Sequence, residues 1–91
     1  MADIGNLPEV FYAVFLTPNY KKELLFSGYV KSLSSFNNEG AFDVLPLHEN
    51  FVTIVRDKVV VVDKVGNRLE FVLGRALLAV TDNVVKVFVE F

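Results

Sequence analysis

A period of two, not 3.6, runs through the apolar residues of this chain, and that spacing builds strands rather than amphipathic helices. From Arg68 to Leu73, the side chains of Arg68, Glu70 and Val72 fall on one side while Leu69, Phe71 and Leu73 fall on the other. This is the alternation of a half-buried strand. The last segment repeats it, with Val85, Val87, Val89 and Phe91 on one face and Lys86 and Glu90 on the other. Valine and phenylalanine both favour a pleated surface. Gly66-Asn67 separates the valine-rich run from Arg68 to Leu73, and Asp82-Asn83 separates Ala76 to Thr81 from the final strand. Both dipeptides tolerate the positive φ angles of two-residue hairpin turns, so the second half is expected to be an antiparallel meander.

The first half is less regular. Val10 to Thr17 forms an apolar strand stopped by Pro18-Asn19, and Glu23 to Phe26 and Tyr29 to Phe36 are two further candidates. The polar turn Asn37-Asn38-Glu39-Gly40 follows, with Gly40 expected at positive φ, and a short strand Phe42 to Leu45 stops at Pro46. No window carries a helical stripe. Residues 1–8 are expected to be a flexible tail and 9–91 a single domain, without internal repeat or low-complexity segment. The pattern implies an all-β fold without a long helix, a small antiparallel β-sandwich or flattened barrel of about eight to ten short strands.

Ninety-one residues suit one core, burying roughly 60 to 65% of the unfolded chain's surface. With 53% apolar residues and nine phenylalanines, the chain exceeds what that core needs, and the surplus points to a surface covered by protein partners. A net charge of -2 spread without blocks gives no footprint for nucleic acid or anionic lipid. The absence of cysteine excludes disulfides, thiolate metal sites and cysteine nucleophiles. No apolar run approaches the length of a membrane-spanning helix, and the start lacks the basic cluster of a signal peptide. The expected location is cytoplasmic, or peripheral to a membrane through a partner.

The stretch from Glu39 to Val55 combines a turn, a short strand, a Pro-containing loop and the sole histidine. Its sequence Gly40-x-Phe42-x-Val44-Leu45-Pro46-x-His48 resembles the Gly-x-Phe-Gly-[Ile/Val]-Leu-Pro-Gly-His signature of the amino-terminal domain of F-type ATP synthase epsilon subunits (delta in mitochondria). The likeness extends through Val14-Phe15-Leu16-Thr17-Pro18 and Phe26-Ser27-Gly28 before the loop. After it come Phe51-Val52-Thr53, Phe71-Val72-Leu73-Gly74, Leu78-Ala79-Val80 and Val85-Lys86-Val87. The resemblance implies a β-sandwich that is a non-catalytic rotor component of the central stalk. It would pack on the gamma subunit and touch the c-ring, coupling proton-driven rotation to ATP synthesis on the cytoplasmic side of an energy-transducing membrane. It also implies a partner-binding face at Glu39, Gly40, Ala41, Phe42, Leu45, Pro46, His48 and Glu49.

Five positions depart from the family pattern: Asp43 and Leu47 replace glycines, Glu49-Asn50 replaces Ala-Pro, and Arg75 stands where many members have a second glycine. Leu47 is strained if the loop needs positive φ there. The family's carboxy-terminal helices have no counterpart before Phe91, so the chain is expected to be either a natural short form or a fragment; the first, with the loop substitutions, favours an alternative, a stand-alone sandwich reused as a protein-interaction module outside the synthase. Other features have plainer readings. His48 lacks companion ligands for a metal, and Asp43 with Glu49 lacks a nucleophile or cleft for acid-base catalysis. Lys21-Lys22 with Lys31 is expected to be a solvated face, and Gly66-Asn67-Arg68 is too short to cradle phosphate. Phe88 and Phe91 belong either to the core or to a sticky edge. No catalytic residue, cofactor or metal is expected, and neither nucleic acid nor direct membrane insertion.

Overall fold

The computed structural model describes residues 9–17, 24–47 and 49–89, apart from the side chains of Leu24 and Leu25. Six strands make up these residues: β1 Phe11–Leu16, β2 Leu24–Asn37, β3 Gly40–Val44, β4 Phe51–Asp63, β5 Arg68–Thr81 and β6 Val84–Val89. Their order is β1-β6-β5-β4-β2-β3, and β1 also pairs with β2, so five strands close into a barrel with β3 added beside them. Closure leaves few unpaired backbone groups, because each barrel strand finds ladder partners on both sides over part of its length.

The β-sandwich or flattened-barrel expectation is borne out, with two corrections of detail. The described strands number six, not eight to ten, because neighbouring short candidates fuse. Arg68–Leu73 and Ala76–Thr81 are one strand, β5. Across Gly74-Arg75 its inward set switches from Phe71 and Leu73 to Ala76, Leu78 and Val80, while β4 keeps its parity through Val55, Val59 and Val61. A bulge explains this: Arg56 faces Arg75 and Lys58 faces Val72, so Asp57 alone spans Leu73 and Gly74. Similarly β2 absorbs two candidates, its first half pairing with β1 and its last five residues with β3. The second correction is that β1 pairs with β6 in parallel, every other pair being antiparallel. These two strands are far apart in sequence, so no hairpin dictates their relative direction.

The antiparallel meander β4-β5-β6 stands as expected, and both turn types follow from their residues. Asp82 and Asn83 adopt φ 51° and 66°, the paired left-handed geometry of a tight hairpin. Gly40 has φ 115°, which only glycine enters freely.

Inside the barrel, Phe15 packs on Phe26 and Phe71 with ring centroids 5.6 and 4.8 Å away, and Phe26 meets Phe71 at 5.6 Å. Truncating the fully buried Phe15 to alanine would cost about 3–5 kcal/mol. Near the other end Phe42 and Phe51 meet edge to face at 6.1 Å. The single buried polar residue of the described set, Ser35, donates its hydroxyl to the Lys58 carbonyl at 2.8 Å beside the bulge. The partner removes most of the cost of burying that hydroxyl.

Candidate functional site: a loop latched across the barrel end

Residues 45–50 connect β3 to β4 across the end of the barrel that holds the β5–β6 turn. Leu47 has φ 66°, so a branched aliphatic residue occupies a conformation that glycine takes without strain. Hydrogen bonding holds it there. The Leu47 amide donates to Asn83 Oδ1 at 2.7 Å, while Asn83 Nδ2 donates to the Val10 carbonyl at 3.1 Å. The Tyr12 amide in turn donates to the Asn83 carbonyl at 3.2 Å. On the far side of the loop, Asn50 Oδ1 accepts from the Asp82 amide at 2.9 Å. The pair Asp82-Asn83 and the family-divergent Asn50 thus tie together the start of β1, the loop and the β5–β6 turn.

The β2–β3 turn is braced separately. Asn37 Oδ1 accepts from the Glu39 amide at 2.9 Å, and Asn37 Nδ2 donates to Thr53 Oγ1 at 3.2 Å. A shallow depression of about 510 Å³ lies between this turn and the start of β4, lined by Asn37, Asn38, Glu39 and residues 51–54. Asp43 accepts the Ser34 hydroxyl at 2.6 Å across the β2–β3 ladder.

The expected partner-binding residues separate into two kinds. Glu39, Ala41, Leu45 and Glu49 are exposed, as is Leu47 beside them. Leu45 and Leu47 keep more than half of their surface in water, at 54% and 55%. Phe42, in contrast, turns inward against the core, Gly40 serves the turn geometry and Pro46 is half-buried. His48 lies outside the described residues, as do residues 1–8, Lys21, Lys22 and Phe91. The chemistry of this end is two exposed leucines among the exposed carboxylates of Glu39, Glu49 and Asp82, a mixed apolar and acidic surface.

Sequence reasoning missed a second surface on the outer face of the barrel. The outward residues of β4, β5, β6 and β1 share rows: Val52 faces Ala79, Ala79 faces Lys86 and Lys86 faces Val14, while Ile54 faces Leu77, Leu77 faces Phe88 and Phe88 faces Leu16. Lys86 is the one charge in these two rows. The alternation did mark the face, for Val52 and Ile54 of β4, Leu77 and Ala79 of β5, Phe88 of β6 and Val14 and Leu16 of β1 all stand at outward positions. Among the described residues no three His, Cys, Asp or Glu side chains cluster as metal ligands, and no helix is long and apolar enough to cross a membrane.

The model of a known family, "ATP synthase, Delta/Epsilon chain, beta-sandwich domain", matches residues 16–91. No curated protein sequence matches at a significant level. Among solved structures, a chain of the Euglena gracilis mitochondrial ATP synthase, determined by cryo-EM as an OSCP/F1/c-ring assembly in rotational state 1, superposes with a TM-score of 0.80. The two share 22% identity, and the alignment covers 98% of this chain and 56% of that one. At that identity the likeness speaks for the fold.

Proposed function

The chain belongs to the ATP synthase delta/epsilon β-sandwich family, and from that premise we propose that it is a non-catalytic central-stalk domain of an F-type synthase. Its loop end, with Glu39, Leu45, Leu47, Glu49 and the neighbouring His48, meets the polar loops of the c-ring, and its barrel packs on the gamma subunit. Ring rotation driven by protons is passed to gamma as torque. The domain is held at an energy-transducing membrane through these partners.

One observation carries this reading: the 45–50 loop is latched to the barrel at both Asn83 and Asn50, so its exposed leucines are presented on a stiff end. Torque transmission needs such stiffness. A close-packed, closed barrel has low compressibility, and a load applied to the latched loop reaches β1, β5 and β6 without first taking up slack.

The chain lacks cysteine, so single cysteines placed at Glu39 and Glu49 can carry a photoactivatable benzophenone. In synthase assembled with the labelled chain, adducts with the c subunit are expected from both positions. Adducts only with proteins outside the synthase, together with failure of the unlabelled chain to co-purify with gamma, would overturn the reading.

A further inference from the structure

On the flank formed by β3, β2, β4 and the first half of β5, opposite charges face one another without touching. The ladder sets Asp43, Ser34, Val60 and Glu70 in one row across these four strands. Val60 points outward in this row yet is only 6% exposed, so neighbouring side chains overhang it. A depression of about 230 Å³ opens here, with Asp43 and Ser34 on one bank, Lys58 and Arg68 on the other, and Phe36, Ala41 and Val60 as apolar lining. Each bank is fastened on its own side. Asp43 Oδ1 accepts the Ser34 hydroxyl at 2.6 Å, whereas Lys58 and Arg68 share one oxygen of Glu70, at 3.4 and 3.6 Å. Asp43 makes no ion pair with either cation among the described residues. The nearby Arg56 is engaged by Asp57 at 3.3 Å. The Ser35 hydroxyl, bonded to the Lys58 carbonyl at 2.8 Å, fixes the strand that carries the ammonium group. Asp43 stands where the family signature has a glycine, so the acidic bank is a feature of this chain.

We propose that the depression binds a small zwitterion whose ammonium and carboxylate are separated by a short alkyl chain. Its ammonium donates to Asp43 and to Ser34 Oγ, whose own proton is committed to Asp43. Its carboxylate accepts from Lys58 and Arg68, which have donors to spare because their shared contact with Glu70 is longer than the about 2.7–2.9 Å of a good charge-assisted bond. Its methylenes lie on Val60, Ala41 and Phe36. Asp43 and Val60 stand two ladder steps apart, about 10 Å, which favours an ω-amino acid over an α-amino acid, whose two charges sit side by side. The charges of Asp43, Glu70, Lys58 and Arg68 sum to zero, and this suits a neutral dipolar ligand. A lone anion meets repulsion from Asp43, and a lone cation meets it from Lys58 and Arg68. A free ω-amino acid and the lysine at a polypeptide's carboxy terminus share the required chemistry. The inference is independent of the rotor reading and draws on no residue of the 45–50 loop.

The test titrates ε-aminocaproate into the isotope-labelled chain and follows its amide spectrum. Saturable shifts centred on Ser34, Asp43, Lys58 and Arg68 are expected. Binding should weaken about tenfold or more in Asp43→Asn, which keeps an acceptor for Ser34, and in Lys58→Met, which keeps the aliphatic stem. Lys86→Met, in β6, should stay within about twofold of the parent. The spectra themselves report whether each variant is folded. Caproate and hexylamine, each carrying one of the two charges, are expected to bind about tenfold more weakly or not at all. A short peptide ending in lysine separates the sources: tighter binding than ε-aminocaproate, lost on amidating its carboxylate, assigns the site to a chain terminus, and the reverse order assigns it to a free solute. Either result supports the inference. Absence of saturable shifts with both probes at about 20 mM, where a millimolar site is filled, overturns it. So does binding that Asp43→Asn leaves unchanged, or caproate binding as tightly as ε-aminocaproate, which makes the depression a plain anion site.

Discussion

Asn83 holds more of the candidate site together than any other described side chain, and Asn83→Gly isolates that role, because glycine keeps the φ of 66° while deleting the amide. Two hydrogen bonds are lost, from the Leu47 amide at 2.7 Å and to the Val10 carbonyl at 3.1 Å. Each contributes about 0.5–1.5 kcal/mol net. The Leu47 bond belongs at the lower end because that loop is exposed, and the partly buried Val10 bond near the middle. Added backbone freedom of glycine in the unfolded chain costs about 0.5–1 kcal/mol more. The sum is about 2 kcal/mol, read by urea denaturation, or a fall in Tm of about 8–16 °C for a domain of this size. Asn83→Asp supplies the control. It retains the acceptor for Leu47 but sets a carboxylate against the Val10 carbonyl, so amide exchange at Leu47 stays slow in Asn83→Asp and becomes fast in Asn83→Gly. A destabilisation below about 0.5 kcal/mol, with equal Leu47 exchange in all three proteins, would refute the latch.

Three further outcomes follow from local geometry. Leu47→Val, conservative by composition, is expected to destabilise by about 1 kcal/mol more than Leu47→Gly, since a β-branched residue fits φ 66° worst and the exposed side chain offers little burial in return; paired denaturant midpoints decide it. Gly74→Ala is expected to be neutral or to stabilise by up to about 1 kcal/mol, because its added Cβ meets nothing within 4 Å and no left-handed φ is needed, whereas Gly40→Ala at φ 115° should destabilise by about 1–3 kcal/mol. Asp63 accepts from the amides of Asn67 and Val65 at 2.8 and 3.0 Å, and the backbone bond from Asn67 is the main cause holding its carboxyl below the usual 3.8. Because the folded value is the depressed one, this contribution is complete above pH 3.8 and disappears as pH falls through the folded value. The stability gap between the parent chain and Asp63→Ala should therefore be constant from pH 7 to 5 and shrink in stronger acid; a gap that widens there would contradict the assignment.

How far the fold was legible depended on whether one strand's pattern sufficed. The β5–β6 hairpin was legible because Asp82-Asn83 dictates its own turn and the flanking valines alternate without interruption. Strand lengths were not. In β5 the inward set changes parity at Gly74-Arg75, and in sequence a parity change looks the same whether the chain turns or bulges. Only the unbroken partner β4 distinguishes the two, and that pairing is a tertiary fact. The parallel β1–β6 contact was invisible for a related reason. No local residue encodes a pairing between segments separated by the rest of the chain.

The site was half legible on the same physical grounds. The strain at Leu47 was foreseeable from the glycine it replaces, but its compensation was not, since the amide that holds it belongs to Asn83, thirty-six residues away. Sequence assigned Asn83 to a turn, and the turn is real; the side chain, freed by the left-handed backbone, then does separate work on two other segments. This bears on how the loop substitutions are weighed. Asn50 replaces a residue of the family pattern and accepts the Asp82 amide, so the divergent loop is fastened through its own new residue as well as through Asn83. The substitutions at 47 and 50 therefore act together, one straining the loop and the other helping to pin it. Asn50→Ala should accordingly loosen the Leu47 amide without touching it, a coupling that exchange measurements on the single and double Asn50→Ala, Asn83→Gly variants would detect as non-additive protection.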